Sequence, residues 1–177
     1  YLSVYSPVFA DNMPRLSAYL MANPVTEVPG EDAFEALVLD LKEARKNRTH
    51  AQVGTRVNYE KAGSTSLFKS TARRLRKIDG PPYKEKLLAL KPDWDDLHLW
   101  TVMERAAHRH TLSFYASALD LGYDAQGDLI RAPEERRIYG LLFQRTLLLS
   151  ALIAGLCLLL GYPVAHLLAN LPLKVSH

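Results

Sequence analysis

Apolar residues recur at intervals of three and four through most of residues 1–132, and then become nearly continuous from about residue 146 onward. Within the first stretch, Phe34, Leu37, Val38, Leu41 and Ala44 keep helical spacing, with Glu31 and Asp32 ahead of them and Lys42, Arg45, Lys46 and Arg48 behind. That charge order complements a helix dipole, so the spacing predicts a helix beginning near Glu31. Pro14 opens a shorter helix through about Ala22, since proline suits the first helical position. Residues 54–61 have weak periodicity. Ser64 or Ser66 is expected to cap a helix carrying Leu67, Thr71, Leu75 and Ile78, which Asp79-Gly80-Pro81-Pro82 stops. A short segment through Leu87, Leu88 and Leu90 follows. A pattern opened by Trp94-Asp95-Asp96 then carries Leu97, Trp100, Val102, Met103 and Ala106. Leu112, Tyr115, Ala116 and Leu119 again fall at helical spacing. No run alternates with period two for long enough to predict a strand, so the fold class is mainly α.

The second stretch has a different solvent. Thr146 to Leu173 holds no Asp, Glu, Lys or Arg, while all 19 acids and 21 of the 22 bases lie in residues 1–145. As a helix, these residues would reach roughly 42 Å at ~1.5 Å each, against a hydrocarbon core of about 30 Å. That length exceeds what the buried core helix of a soluble domain needs. Pro133-Glu134-Glu135 predicts the start of one long helix that leads through Arg136, Arg137, Ile138 and Tyr139 into the bilayer, with Tyr139 near the interface. A kink is expected at Gly161 and Pro163, and Asn170-Leu171-Pro172 ends the helix. At 100° per residue, Ser150, Ala154, Cys157, Gly161 and Ala165 share an arc of roughly 80°. Helices in lipid gain nothing hydrophobic by meeting, and faces of small residues let them approach closely. This face is therefore predicted to pack against other spans. His166, near the end of the span, is read as interfacial.

Composition changes this picture little. The formal charge is +3, and the single Cys157 excludes an intrachain disulfide. The basic run Arg73-Arg74-Leu75-Arg76-Lys77 sits where a helix C-terminus favours cations, and is read as a solvated face rather than a site for nucleic acid or anionic lipid headgroups. His108 and His110 point to different faces, and no Cys or acid cluster completes a metal set. Asp93, Asp95 and Asp96 read as an N-terminal cap. No phosphate loop, dinucleotide fingerprint, serine elbow or zinc-protease motif is present, so no catalytic residue, cofactor or metal is assigned. The absence of an initiating Met or a signal sequence before Tyr1 predicts a fragment with its targeting signal upstream.

The run Arg145-Thr-Leu-Leu-Leu-Ser-Ala-Leu-Ile, followed by LLLGYPVAHLLA from Leu158 to Ala169, resembles the second transmembrane helix of spermidine/putrescine-type ABC transporter permeases. The stretch Val53-Gly-Thr-Arg-Val-Asn-Tyr-Glu-Lys-Ala-Gly-Ser, with Leu67-Phe68 after it, is similar to the enlarged loop between the first two helices in a long-loop branch of that family. The resemblance spans about residues 10–172 and is densest at the C-terminal end.

The resemblance implies a multi-pass inner-membrane subunit of a binding-protein-dependent importer, not itself an enzyme, carrying a polyamine-like or amino-acid-like solute. Its implied partners are a second permease subunit, cytoplasmic ATPases, an extracytoplasmic solute-binding protein and the lipid bilayer, without nucleic acid. Residues 1–132 become a helical extracytoplasmic insertion domain that docks the binding protein or caps the bundle. Residues 133–172 become the transmembrane helix with its lead-in, and 173–177 the start of a cytoplasmic loop. Arg136, Arg137 and Arg145 precede the span and only Lys174 follows it, against the positive-inside rule, which weakens for long translocated domains. The competing expectation is a bitopic membrane protein with an extracytoplasmic helical domain that senses or binds a ligand.

Overall fold

The computed structural model describes residues 3–124, 126–134 and 137–170, and the chain divides into two units, Tyr1–Ala132 and Pro133–His177. The described residues are mainly helical, with nine α-helices and two short two-stranded sheets.

In the first unit, α1 (Val8–Asn12) and α2 (Pro14–Ala22) lead into α3 (Glu31–Lys46), the longest helix there. The expected apolar face of α3 forms: Phe34, Leu37, Val38, Leu41 and Ala44 are all at most 1 % exposed. Full burial of each large side chain contributes roughly 1.5–3 kcal/mol, so this face is a main source of stability. Asp40 is buried on the same helix. Its carboxylate accepts from the Leu16 backbone N–H at 2.8 Å and from Arg15 Nη1 at 2.9 Å. Burial pushes the Asp40 carboxyl above its ordinary range, and the Leu16 and Arg15 hydrogen bonds oppose that shift.

The next two helices, α4 (His50–Asn58) and α5 (Ser64–Arg74), form an antiparallel pair turned at Gly63, whose φ of 88° is the left-handed value that glycine tolerates. Neither Ser64 nor Ser66 caps α5 through an amide. Their hydroxyls instead donate to the carbonyls of Lys61 (2.8 Å) and Gly63 (2.7 Å). A 3-10 turn over Leu75–Lys77 ends α5, with Leu75 and Ile78 buried and Arg73, Arg74 and Arg76 in solvent. After the Pro81-Pro82 turn comes α6 (Tyr83–Leu90).

Trp94 lies in a 3-10 turn (Pro92–Asp95) rather than opening a helix, and α7 (Leu97–Ala107) starts three residues after it. Of the three clustered acids, Asp96 is the cap, accepting from the His98 N–H at 2.9 Å. Both indoles are fully buried and satisfied. Trp94 Nε1 donates to Thr71 Oγ1 at 3.1 Å, and Trp100 Nε1 donates to the Trp94 carbonyl at 2.8 Å. Phe68 meets Trp94 edge-on at 5.2 Å and Phe34 lies 5.0 Å from Trp100, so α3, α5 and α7 share one core.

Four strands escaped the sequence pattern. β1 (Val4–Tyr5) pairs antiparallel with β2 (His110–Thr111), and β3 (Leu121–Tyr123) with β4 (Leu129–Arg131). Between the two sheets lies α8 (Ser113–Ala118), packed against β3. Strands of two or three residues are too short for period-two alternation to register.

In the second unit, α9 (Tyr139–Asn170) is 32 residues long, and every one of them is exposed. It is long and apolar enough to cross a membrane. The helix begins at Tyr139 rather than at Pro133. Arg137 donates backbone N–H and side-chain Nη2 to Glu134, at 3.2 and 2.9 Å. The remainder of that expected start, Glu135 and Arg136, lies outside the described residues, as do Leu171, Pro172 and Lys174.

Candidate functional site

The residues singled out on the apolar segment all lie on α9. Ser150, Ala154, Cys157, Gly161 and Ala165 occupy successive turns, and a helix of uniform pitch brings them to one side. A Cβ added at Gly161 would meet nothing within 4 Å among the described residues, so this face is open. The helix runs without interruption through Gly161 and Pro163. Proline has no N–H, so the Leu159 carbonyl loses its usual helical donor there. Polar side chains on α9 turn inward to the backbone: Thr146 Oγ1 donates to the Leu142 carbonyl at 2.9 Å, and Asn170 Nδ2 to the His166 carbonyl at 2.8 Å. That economy suits a helix surrounded by hydrocarbon, where no water supplies partners. His166 stacks on Tyr162 at 6.1 Å, an aromatic pair near the C-terminal end of α9.

A second constellation lies in the first unit. Glu60, just past α4, accepts from Arg56 Nη1 at 3.2 Å and from Arg105 Nε on α7 at 2.9 Å. Arg56 and Glu60 are 3 % and 6 % exposed, so this is a buried ion network. Arg56 Nε also donates to Ser6 Oγ at 3.2 Å. The guanidinium of Arg56 faces the Phe114 ring at 5.4 Å, and that of Arg105 faces the Tyr123 ring at 4.9 Å. One carboxylate thereby ties α4 and α7 to the segment that carries α8 and β3. Arg56 and Glu60 fall in the weakly periodic stretch 54–61, where the apolar pattern does not reveal their pairing. The four-residue spacing of Arg56 and Glu60 was a visible signal, whereas Arg105, 45 positions away, was not.

Beside this network, a cleft of about 400 Å³ lies at the start of α5, lined by Lys61, Ser64, Ser66, Ser70, Lys91, Asp93 and Asp96. Lys61 and Asp96 pair at 2.5 Å. Burial works to raise the Asp96 carboxyl, yet the Lys61 ammonium and the His98 and Leu99 N–H groups together hold it below its ordinary value. The cleft pairs cations with acids, and its serine hydroxyls donate to the backbone carbonyls of Lys61, Gly63 and Leu67. Among the described residues, no group of three or more His, Cys, Asp or Glu is placed to hold a metal.

His98 adjoins these charges. Burial pushes its imidazole below 6.5, and the Lys61 and Arg105 charges push the same way. A folded value below the unfolded one means that the unfolded chain binds the proton more readily. The associated stability is present above about pH 6.5 and is lost as the pH falls below it. Denaturant titrations followed by Trp94 and Trp100 fluorescence should show stability declining from about pH 7 to about pH 5, and His98→Gln should flatten that decline. An unchanged slope in the variant would exclude His98 as its source.

No protein-family model, curated protein or solved structure matches this chain.

Proposed function

We propose that this chain forms part of an integral-membrane permease subunit of a binding-protein-dependent ABC importer. It would help carry a small polyamine-like or amino-acid-like solute across an inner membrane. The observation that carries this reading is α9, a helix of 32 exposed residues with one continuous face of small side chains. A lone anchor gains nothing from such a face, whereas a span inside a bundle uses it for close approach. The likeness of LLLGYPVAHLLA to the second transmembrane helix of spermidine/putrescine-type permeases supports the same assignment.

In this reading the chain contributes a packing surface rather than chemistry. Alternating access rocks rigid helices about a central path, and the Ser150–Ala165 face gives one helix a close, low-friction contact with its neighbour. Pro163, lacking a donor to Leu159, supplies the local compliance at the inner end. ATP hydrolysis belongs to separate subunits.

The test uses the full reading frame, expressed with its partner subunits. Gly161→Leu places a large side chain on the packing face and should lower both the yield of assembled complex and solute uptake by about tenfold, the scale of one lost helix contact. Normal assembly with normal uptake would overturn the packing role, and extraction of the protein by an alkaline wash would overturn the membrane assignment. A second reading is a bitopic protein whose first unit binds or senses a ligand outside the cell. It is favoured by the fact that the described residues hold one helix of membrane length beside a unit with its own core.

A further inference from the structure

The short helix α8, with its flanking residues Leu112 and Leu119, turns an apolar face outward. Leu112, Tyr115 and Leu119, counted at 100° per residue, fall within an arc of roughly 60°, and all three are exposed at 52 %, 50 % and 72 %. The inward side of the same helix presents Ser113 and Ala116, both buried, and the half-buried Phe114 facing Arg56. A helix in water turns such a face to the core. Next to it, the β3–β4 hairpin exposes Leu129 and Ile130, and Arg131 beside them is exposed as well.

We infer that the outward face of α8, together with Leu129 and Ile130 of β4, docks on a lipid surface, at the headgroup boundary of the bilayer that α9 enters. The inference rests on the reading of α9 as a membrane helix. Two features favour lipid over another occupant. Seven residues, 132–138, separate β4 from α9, and eight peptide links span no more than about 28 Å. A surface tethered so closely meets the membrane at an effective concentration of roughly millimolar, so a small apolar patch suffices to hold it there. The composition agrees: an aromatic side chain, aliphatic neighbours and a cation are the residues that settle at the headgroup level, where tyrosine keeps its hydroxyl wet and arginine meets phosphate. The Arg56–Phe114 and Arg105–Tyr123 contacts fix α8 and β3 on the first unit from behind.

The experiment places one environment-sensitive fluorescent amino acid, by codon suppression, at position 119, 21 or 152 of the full-length protein. The protein is reconstituted in phosphatidylethanolamine–phosphatidylglycerol vesicles with and without nitroxide lipid. Position 152 reports on α9, and position 21 is a control because Met21 is exposed but lies on α2. The inference expects the probe at 119 to shift to the blue and lose about half its emission to headgroup-proximal nitroxide, as an interfacial group does, with position 21 unquenched and position 152 quenched by deeper nitroxide. A water-like, unquenched probe at 119 with 152 quenched overturns the docking and leaves the span intact. A blue-shifted but unquenched probe at 119 assigns the face to a protein, a second copy or another subunit, and also overturns it. Equal quenching at 21 and 119 removes the assignment to this face. An unquenched probe at 152 defeats the membrane reading of α9, and the docking falls with it.

Discussion

Replacing Glu60 with alanine is expected to destabilise the first unit by about 3–5 kcal/mol, the cost of breaking a buried ion network on one side only. The guanidinium of Arg56 is 3 % exposed and would keep its charge while losing its carboxylate. Ser6 Oγ and the Phe114 ring offer partial substitutes, a neutral hydroxyl at 3.2 Å and a ring face at 5.4 Å. Arg105 is less affected, because at 22 % exposure it can turn toward water. The size of the effect thus lies with Arg56. A domain of this length should lose about 10–15 °C in Tm. The control is the double variant Arg56→Met/Glu60→Leu, which removes both charges and keeps the volume. It should recover most of the loss, because a well-packed apolar replacement is often neutral where a half-broken pair is not. If Glu60→Ala melted within about 2 °C of the parent, or if the double variant were the less stable of the two, the network would not be the strut described. The same change should loosen α8 and β3, since Arg56 and Arg105 hold Phe114 and Tyr123 from the core side. Hydrogen exchange in residues 113–123 would rise before that in α3.

What could be read in the chain beforehand follows from how far each signal reaches. α3 was legible because five apolar side chains at helical spacing report one face directly, and charges at both ends mark its limits. Asp96 as a cap was legible for the same reason, since a cap acts within three residues. α9 declared itself through composition alone. Asp40 was not legible: an acid on a helix reads as solvent-facing, and the Leu16 N–H and Arg15 guanidinium, 24 and 25 positions away, make its burial tolerable. The helical spacing of Leu112, Tyr115 and Leu119 gave the helix correctly, yet spacing defines a face without saying what covers it. Pro133-Glu134-Glu135 looked like a helix start because those residue types suit one. The structure instead begins α9 at Tyr139. The small-residue stripe on α9 was visible as a pattern, but its partner is not written in the segment itself.

Gly54→Leu is the second change expected to act strongly, through close approach rather than charge. Gly54 lies within α4, facing α5. A Cβ built there would stand 2.9 Å from the Phe68 Cβ and 3.1 Å from the Thr65 Cα. Both neighbours belong to or adjoin the α5 backbone, so neither can swing aside as the end of a long side chain can. Phe68 is also fixed from its far side by Trp94 at 5.2 Å. Two effects compete. Removing a glycine from a helix interior favours the folded state by about 1 kcal/mol. Overpacking a closed contact opposes it by about 1–3 kcal/mol, and more for a branched side chain that moves the helices apart. For Gly54→Ala the terms nearly offset, and a net loss of about 1 kcal/mol is expected. For Gly54→Leu the propensity gain is unchanged while the clash grows, so a loss of more than about 3 kcal/mol follows. Paired with Phe68→Ala, which clears the nearest side chain, Gly54→Leu should recover part of its loss, whereas the Thr65 backbone contact remains. The coupling between positions 54 and 68 in a double-mutant cycle measures this directly. Were Gly54→Ala more stable than the parent, α4 and α5 would have room to separate, and this helix pair would not be the rigid contact against which the Glu60 network is braced.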